Sequence, residues 1–351
     1  MRTRSVLSDV LIQIIVLKSS RYPFIPYQDV THSRIPSSQV SRLVLLFGEV
    51  LFDCFADREI PGGAPFNVAH HLRGLGRELG IDPVLISRIG DDAQGRRLLE
   101  VIRAAGLTVN GIQQDSDRPT GAVLVTEQPA GGHRFDIRPD QAWDFIQADT
   151  PLAGITGKPQ WLYFGTLAQR AASHAALRSI MQTSHARGFL DVNLRDPWVR
   201  EDVLRWSLQQ AEVVKVSEEE LLRMAALFAF SGESPLQLGT RLVQEFGMSQ
   251  LLVTNGEQGA WLLTSGGEYA CTSPSTAAES ATPVVDTVGA GDAFAAVFLI
   301  GLTLDWPIQQ SLDRAHAFAA RVCGLRGAIP EHLAFYDPFI HEWQLAGEHV
   351  A

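Results

Sequence analysis

Cysteine is scarce: Cys54, Cys271 and Cys323 are the only three in 351 residues. They are scattered without ligand spacing. That excludes a disulfide framework or a zinc site and points to reduced thiols in a cytoplasmic protein. Long apolar runs are lacking too. None approaches the roughly 20 residues that a membrane-spanning helix needs. The nearest, residues 6–17, is interrupted by Ser8, Asp9 and Gln13. Arg2 and Arg4 precede it, but no small-residue cleavage site follows, so a secretory signal is not expected. There is no basic excess: the net charge is -10. This argues against a general nucleic-acid binder or a membrane-surface protein, while leaving room for a local phosphate site.

Several catalytic fingerprints are also missing. Gly154, Gly157 and Lys158 hint at a P-loop, but the first glycine and the hydroxyl residue are misplaced. Gly74 and Gly76 lie inside a helical run, so they form no dinucleotide fingerprint. No Gly-x-Ser-x-Gly elbow, paired-histidine metal helix or internal repeat is found.

What is present is an ordinary globular composition, 46% hydrophobic and 19% charged, with length enough for a full core. Residues 1–42 differ from the rest. Their six basic and two acidic residues give +4, and after Leu17 they are rich in Ser, Pro and Tyr. They read as a poorly ordered extension. From residue 43 to 340 apolar runs suited to buried strands alternate with helical patterns, and 341–351 reads as a tail. Strands are expected at 43–47, 83–87, 161–164, 189–193, 213–216 and 250–254, with a hairpin over 259–271. Helices are expected at 68–79, 95–105, 173–187, 200–210, 217–229, 236–246 and 312–325. Residues 112–125 and 134–138 read as β-rich. Such alternation predicts an α/β fold, a doubly wound, mostly parallel sheet with helices on both faces. Ligands would bind beyond the carboxyl ends of its strands.

Residues 286–294 read Asp286-Thr287-Val288-Gly289-Ala290-Gly291-Asp292-Ala293-Phe294 and open an apolar helical pattern. Glycines allow a tight turn and a close ligand. The first amides of a helix attract a polyphosphate. Asp292 in that turn would be a carboxylate base beside an anion hole. Taken alone, the same acid reads more readily as a helix cap. A second string, Gly62-Gly63-Ala64-Pro65-Phe66-Asn67, combines backbone access with the donor and acceptor of Asn67. By itself it is a turn with a capping residue.

Together the two strings resemble the signatures of the ribokinase-like (phosphofructokinase-B-type) carbohydrate kinases, in the pattern of bacterial fructokinases. The resemblance covers about residues 43–340. It implies a ribokinase-like domain with a small β lid from about 54–61 and 112–138. It implies transfer of the γ-phosphate of Mg-ATP to a sugar hydroxyl, with fructose the first choice. 2-Keto-3-deoxygluconate, ribose or a nucleoside are the alternatives, and a non-catalytic sugar sensor is the reading from another class. Asp292 would be the catalytic base, and Gly289, Ala290 and Gly291 would shape the anion hole. Asp53, Gly62, Gly63 and Asn67 would hold the sugar. Phe66 stands where a small residue is more usual, which bears on specificity. Asn193 and Arg195 match an Asp-x-Asn-x-Arg string near substrate, although a surface salt bridge would explain the arginine as well. Ser217 and Glu220 match a segment near magnesium and the phosphates, with Glu220 holding Mg2+ through water; a capping box explains the same letters. Thr254, Gly256 and Gly259 would lie close to the nucleotide. His316 would line the adenine pocket or sit on a helix surface. Asp286, with Gly327 and Ala328, would cradle a monovalent cation such as K+. Relatives pair through their lids, so a homodimer is implied.

Overall fold

A computed structural model describes residues 42–127, 133–149, 157–232, 234–273 and 283–347. All of them belong to one unit, Val40–Ala351. The expected extension therefore lies outside the described residues save for Arg42, as do residues 348–351 of the expected tail.

Thirteen strands are described: β1 (Arg42–Phe47), β2 (Leu51–Cys54), β3 (Glu59–Gly62), β4 (Ile81–Gly90), β5 (Ile112–Asp115), β6 (Gly121–Glu127), β7 (His133–Ile137), β8 (Trp161–Gly165), β9 (Arg187–Asp191), β10 (Val213–Ser217), β11 (Gln250–Thr254), β12 (Ala260–Thr264) and β13 (Tyr269–Cys271). The described α-helices are α1 (Ala64–Gly76), α2 (Ala93–Ala104), α3 (Ala171–Ser184), α4 (Glu201–Gln210), α5 (Glu218–Leu227), α6 (Pro235–Phe246), α7 (Ala290–Thr303), α8 (Ile308–Val322) and α9 (Asp337–Gly347).

The large sheet runs β13-β12-β11-β10-β9-β8-β1-β4-β5. Its pairs are parallel from β5 across to β11 and antiparallel in the terminal hairpin. Strand β1 shows why helices cover both faces. Its side chains alternate, Val44 and Leu46 entering one core and Leu43, Leu45 and Phe47 the other. The first core holds α1, α2, α7 and α8; the second holds α3 to α6. Helix α7 is buried from Ala293 to Ile300, which is why its sequence is apolar on every side. The chain leaves β1 toward β4 on one side and returns at β8 on the other. That reversal opens a crevice at the carboxyl ends of the strands.

A second sheet, β3-β2-β6-β7, stands apart. The expected lid span needs correcting against it. Ile112–Asp115 pairs with β4 in the large sheet as the product of a parallel β-α-β crossover, and Asp115 there forms a 2.8 Å ion pair with Arg88. The small sheet keeps β6 and β7, takes in β2 and β3, and has residues 128–132 outside the described set. The boundary at 340 also moves. Helix α9 runs through it, and Ile340 and Trp343 are buried in the first core. Among the described residues no helix is long and apolar enough to cross a membrane.

Candidate active site

Gly289 takes φ 79° and caps α7. A Cβ there would lie 2.3 Å from the Ala328 side chain, so only glycine fits both the turn and the packing. The Ala290 amide turns back to the Thr287 carbonyl at 3.3 Å. The amides of Gly291 and Asp292 have no acceptor among the described residues. The free donors of this helix start therefore begin at Gly291, and the Ala290 amide is not one of them.

Asp292 lies in the first turn, where its Oδ2 accepts from Asn67 Nδ2 at 2.7 Å. Asn67 is placed by α1, whose N-terminus is set by Gly63 at φ 108° and by Pro65 in the first turn. A Cβ at Gly63 would meet the Glu49 carbonyl at 2.4 Å, so the loop after β1 packs directly on this turn. Asn67 Oδ1 is buried without a hydrogen-bond partner. Burial pushes the Asp292 carboxyl up to about 6; the Asn67 hydrogen bond opposes this and the Asp191 charge adds to it. Asp53, on β2, is raised to about 6, again by burial.

Asp53, Gly63, Asn67, Asn193, Arg195, Ser217, Glu220, Thr254, Gly289, Gly291 and Asp292 all line one cleft of about 520 Å³. Val123, Phe135 and Ile137 of the small sheet form its other wall. Gly62 and Asp286 line an adjoining cavity of about 340 Å³ that shares Asp53, Phe135 and Val288 with the first. Asp286 accepts from the Val288 amide at 3.0 Å and the Gly327 amide at 3.1 Å, tying the turn before α7 to the loop after α8. Gly256, Gly259 and His316 line neither cavity. His316 is buried on α8 rather than on a helix surface, and burial lowers its pKa. The capping box on α5 is real: Ser217 Oγ accepts from the Glu220 amide, and Glu220 Oε2 from the Ser217 amide. Glu220 Oε1 also accepts from the Leu194 amide at 2.7 Å, which fixes the Asn193–Arg195 loop. Arg195 forms no ion pair among the described residues and faces the cleft.

Several charged residues of the cleft carried no assignment from the sequence, Lys215 and Glu49 among them. Lys215 sits in the otherwise apolar β10 and pairs with Asp191 at 2.9 and 3.0 Å, while Tyr163 donates to Asp191 at 3.1 Å. Burial alone would lower the ammonium pKa; the Asp191 carboxylate and the charges of Glu220 and Asp292 together outweigh it and raise it. Glu49 is buried after β1, and burial pushes it up to about 7. A charge inside an apolar run was the available signal for both.

The site thus offers a poised carboxylate, free helix amides, a buried cation and polar walls at a sheet's topological switch point. Comparison with known proteins agrees. The pfkB family carbohydrate kinase description matches residues 37–333. The aminoimidazole riboside kinase of Salmonella typhimurium is 31% identical over 77% of this chain and 83% of its own. A fructokinase of Escherichia coli is 30% identical over 83% of this chain and 96% of its own. The ATP-bound crystal structure of a fructokinase from Xylella fastidiosa superposes with a TM-score of 0.73 at 22% identity, covering 87% of this chain and 100% of that one. Its likeness carries the ribokinase-like fold. The chain belongs to the pfkB family of carbohydrate kinases.

Proposed function

We propose that the protein transfers the γ-phosphate of ATP to a hydroxyl of fructose, with Asp292 as general base. The observation that carries this is the half-buried Asp292 carboxylate beside the unpaired amides of α7, in one cleft with Asp53 and Asn67. Asp292 removes the proton of the acceptor hydroxyl. The hydroxyl oxygen forms a bond to the γ-phosphorus as the bond to the bridging oxygen breaks and ADP departs. The amides of Gly291 and Asp292 and the Lys215 ammonium face the charge of the moving group; positioning and electrostatics supply most of such a rate enhancement. Asp53 and the unpartnered Asn67 Oδ1 take hydroxyl donors of the sugar.

The donor set suits Mg2+, which binds through one or two carboxylates while keeping waters. Both Glu220 oxygens already accept one amide each and retain a lone pair for a metal-bound water. Mg2+ would supply neutralisation of the phosphate oxygens. A monovalent cation such as K+ would sit beside Asp286. The small sheet would act as the lid, excluding water from the transfer.

The fructose assignment draws on the Gly-Gly-Ala-Pro-x-Asn and Asp-x-Asn-x-Arg strings and on the fructokinase relatives. A riboside acceptor is the second reading, favoured by the aminoimidazole riboside kinase relative. A panel of fructose, ribose, 2-keto-3-deoxygluconate and nucleosides, incubated with Mg-ATP and read by product mass, tests the assignment. Fructose should give a product heavier by one phosphoryl group. Binding of a sugar without any product would support a sensor instead.

A further inference from the structure

The site does not use a buried polar chain that runs beneath it. His70 and His71 of α1 both approach the hydroxyl of Tyr336, at 2.8 and 3.0 Å through their Nδ1 atoms. His71 Nε2 lies 3.0 Å from the Ala328 carbonyl. Tyr336 can sit there because residue 74 is glycine; a Cβ at that position would lie 2.2 Å from the ring. Phe318 closes the cluster, edge-on to His71 and stacked on Tyr336.

Hydrogen-bond chemistry assigns the protons. A carbonyl only accepts, so His71 Nε2 carries hydrogen. Burial keeps both imidazoles neutral, pushing His70 down to about 4 and His71 to about 3. His71 Nδ1 is therefore bare and accepts the Tyr336 proton. The Tyr336 oxygen in turn accepts from His70 Nδ1–H. The chain reads one way: His70 to Tyr336, Tyr336 to His71, and His71 to the Ala328 carbonyl.

What lies at its end matters. Ala328 packs against Gly289, the cap of α7, and the neighbouring Gly327 amide donates to Asp286. One turn earlier on α1, Asn67 holds Asp292. Helix α1 thus grips the start of α7 at two points, directly through Asn67 and from below through His71.

We infer that His71, its tautomer set by the Ala328 carbonyl and its ring oriented by the Tyr336 hydroxyl, is a positioning residue for phosphoryl transfer. It pins residues 327–328 under the turn 286–289 and so aims the Gly291 and Asp292 amides. The inference rests on the proposed reaction for its catalytic meaning, but not for its structural content.

The full chain and three variants test it. Tyr336→Phe keeps the ring packing and removes the hydrogen bond that holds the His71 ring in place. His71→Leu removes the donor. His71→Gln restores a donor at the Nε2 position. Amide exchange of the ligand-free protein, read by mass spectrometry, should quicken about tenfold in peptides covering 286–292 and 324–328 for Tyr336→Phe and His71→Leu. Peptides covering β8 to β10 should not change. The kcat should fall about tenfold, since small misplacements of transfer groups are costly, with the sugar KM held within about twofold. His71→Gln should recover most of both losses. Unchanged exchange, quickening spread over the whole chain, or a glutamine variant no better than leucine would each overturn the inference. If the unaltered chain phosphorylates no sugar, the proposed reaction fails, and the exchange data still decide the positioning role.

Discussion

Asp292 is held in a state between acid and base. Its pKa is raised to about 6 by burial, so as the proposed base it must lose its proton before it can accept one from a sugar. At saturating Mg-ATP, kcat/KM for the acceptor should therefore fall as the pH drops below about 6, approaching tenfold per unit. A profile flat from about pH 5 to 8 would contradict a base tuned in this way. The linkage to stability has the opposite sign. A carboxyl whose folded pKa is raised favours folding at pH values below its ordinary range, and that contribution disappears as the pH rises through about 6. Asp292, Asp53 and Asn67 were legible in the sequence because glycine-rich strings flank them and the residue types suit proton transfer and hydroxyl binding. Lys215 and Glu49 were not, because a charge in or next to an apolar strand run signals burial without naming a partner. Nothing local says that the Lys215 side chain meets Asp191, 24 residues away, and not solvent. Arg195 was ambiguous for the opposite reason: an arginine in a loop is explained by many surroundings, and only the fold turns it into the cleft.

At the scale of elements, the parallel strands and their helices were readable because each is a continuous apolar run or a clear 3.6-residue pattern. Two placements escaped. Strand β5 carries polar letters, Ile-Gln-Gln-Asp, and belongs to the large sheet only through β4 and the Arg88–Asp115 pair. Helix α9 owes its place to Ile340 and Trp343 packing into a core assembled from distant segments. The connection from the small sheet back to the large one is held by a buried pair that the sequence also hid. Arg170 meets Asp144 through two hydrogen bonds of 2.7 and 2.9 Å and donates to the Arg138 carbonyl just beyond β7. Its guanidinium stacks between Trp143 and Trp198. Arg170→Ala would leave Asp144 buried and unpaired, and should cost about 3–5 kcal/mol. Urea unfolding that shows a loss under about 1 kcal/mol would mean that Asp144 finds other partners.

For the whole molecule, the cleft is walled on one side by strand ends of the large sheet and on the other by the small one. If the small sheet is the lid, fructose and a non-hydrolysable ATP analogue together should draw it inward. Small-angle scattering should then record a smaller radius of gyration than for the free protein. An unchanged radius would remove the lid from the account. The family match begins at residue 37 and β1 begins at Arg42, whose amide donates to the Gly80 carbonyl. A chain starting at Val40 should therefore keep its turnover, and loss of soluble, active protein would show that the preceding residues are needed. The central claim is narrower than either of these: one carboxylate takes the sugar's proton. Asp292→Asn keeps the size of the side chain and removes the base, and its rate of ADP release with saturating sugar and Mg-ATP is the direct test. We predict a fall of roughly 100-fold or more, with ATP binding preserved; turnover within a few-fold of the unaltered protein would contradict the claim.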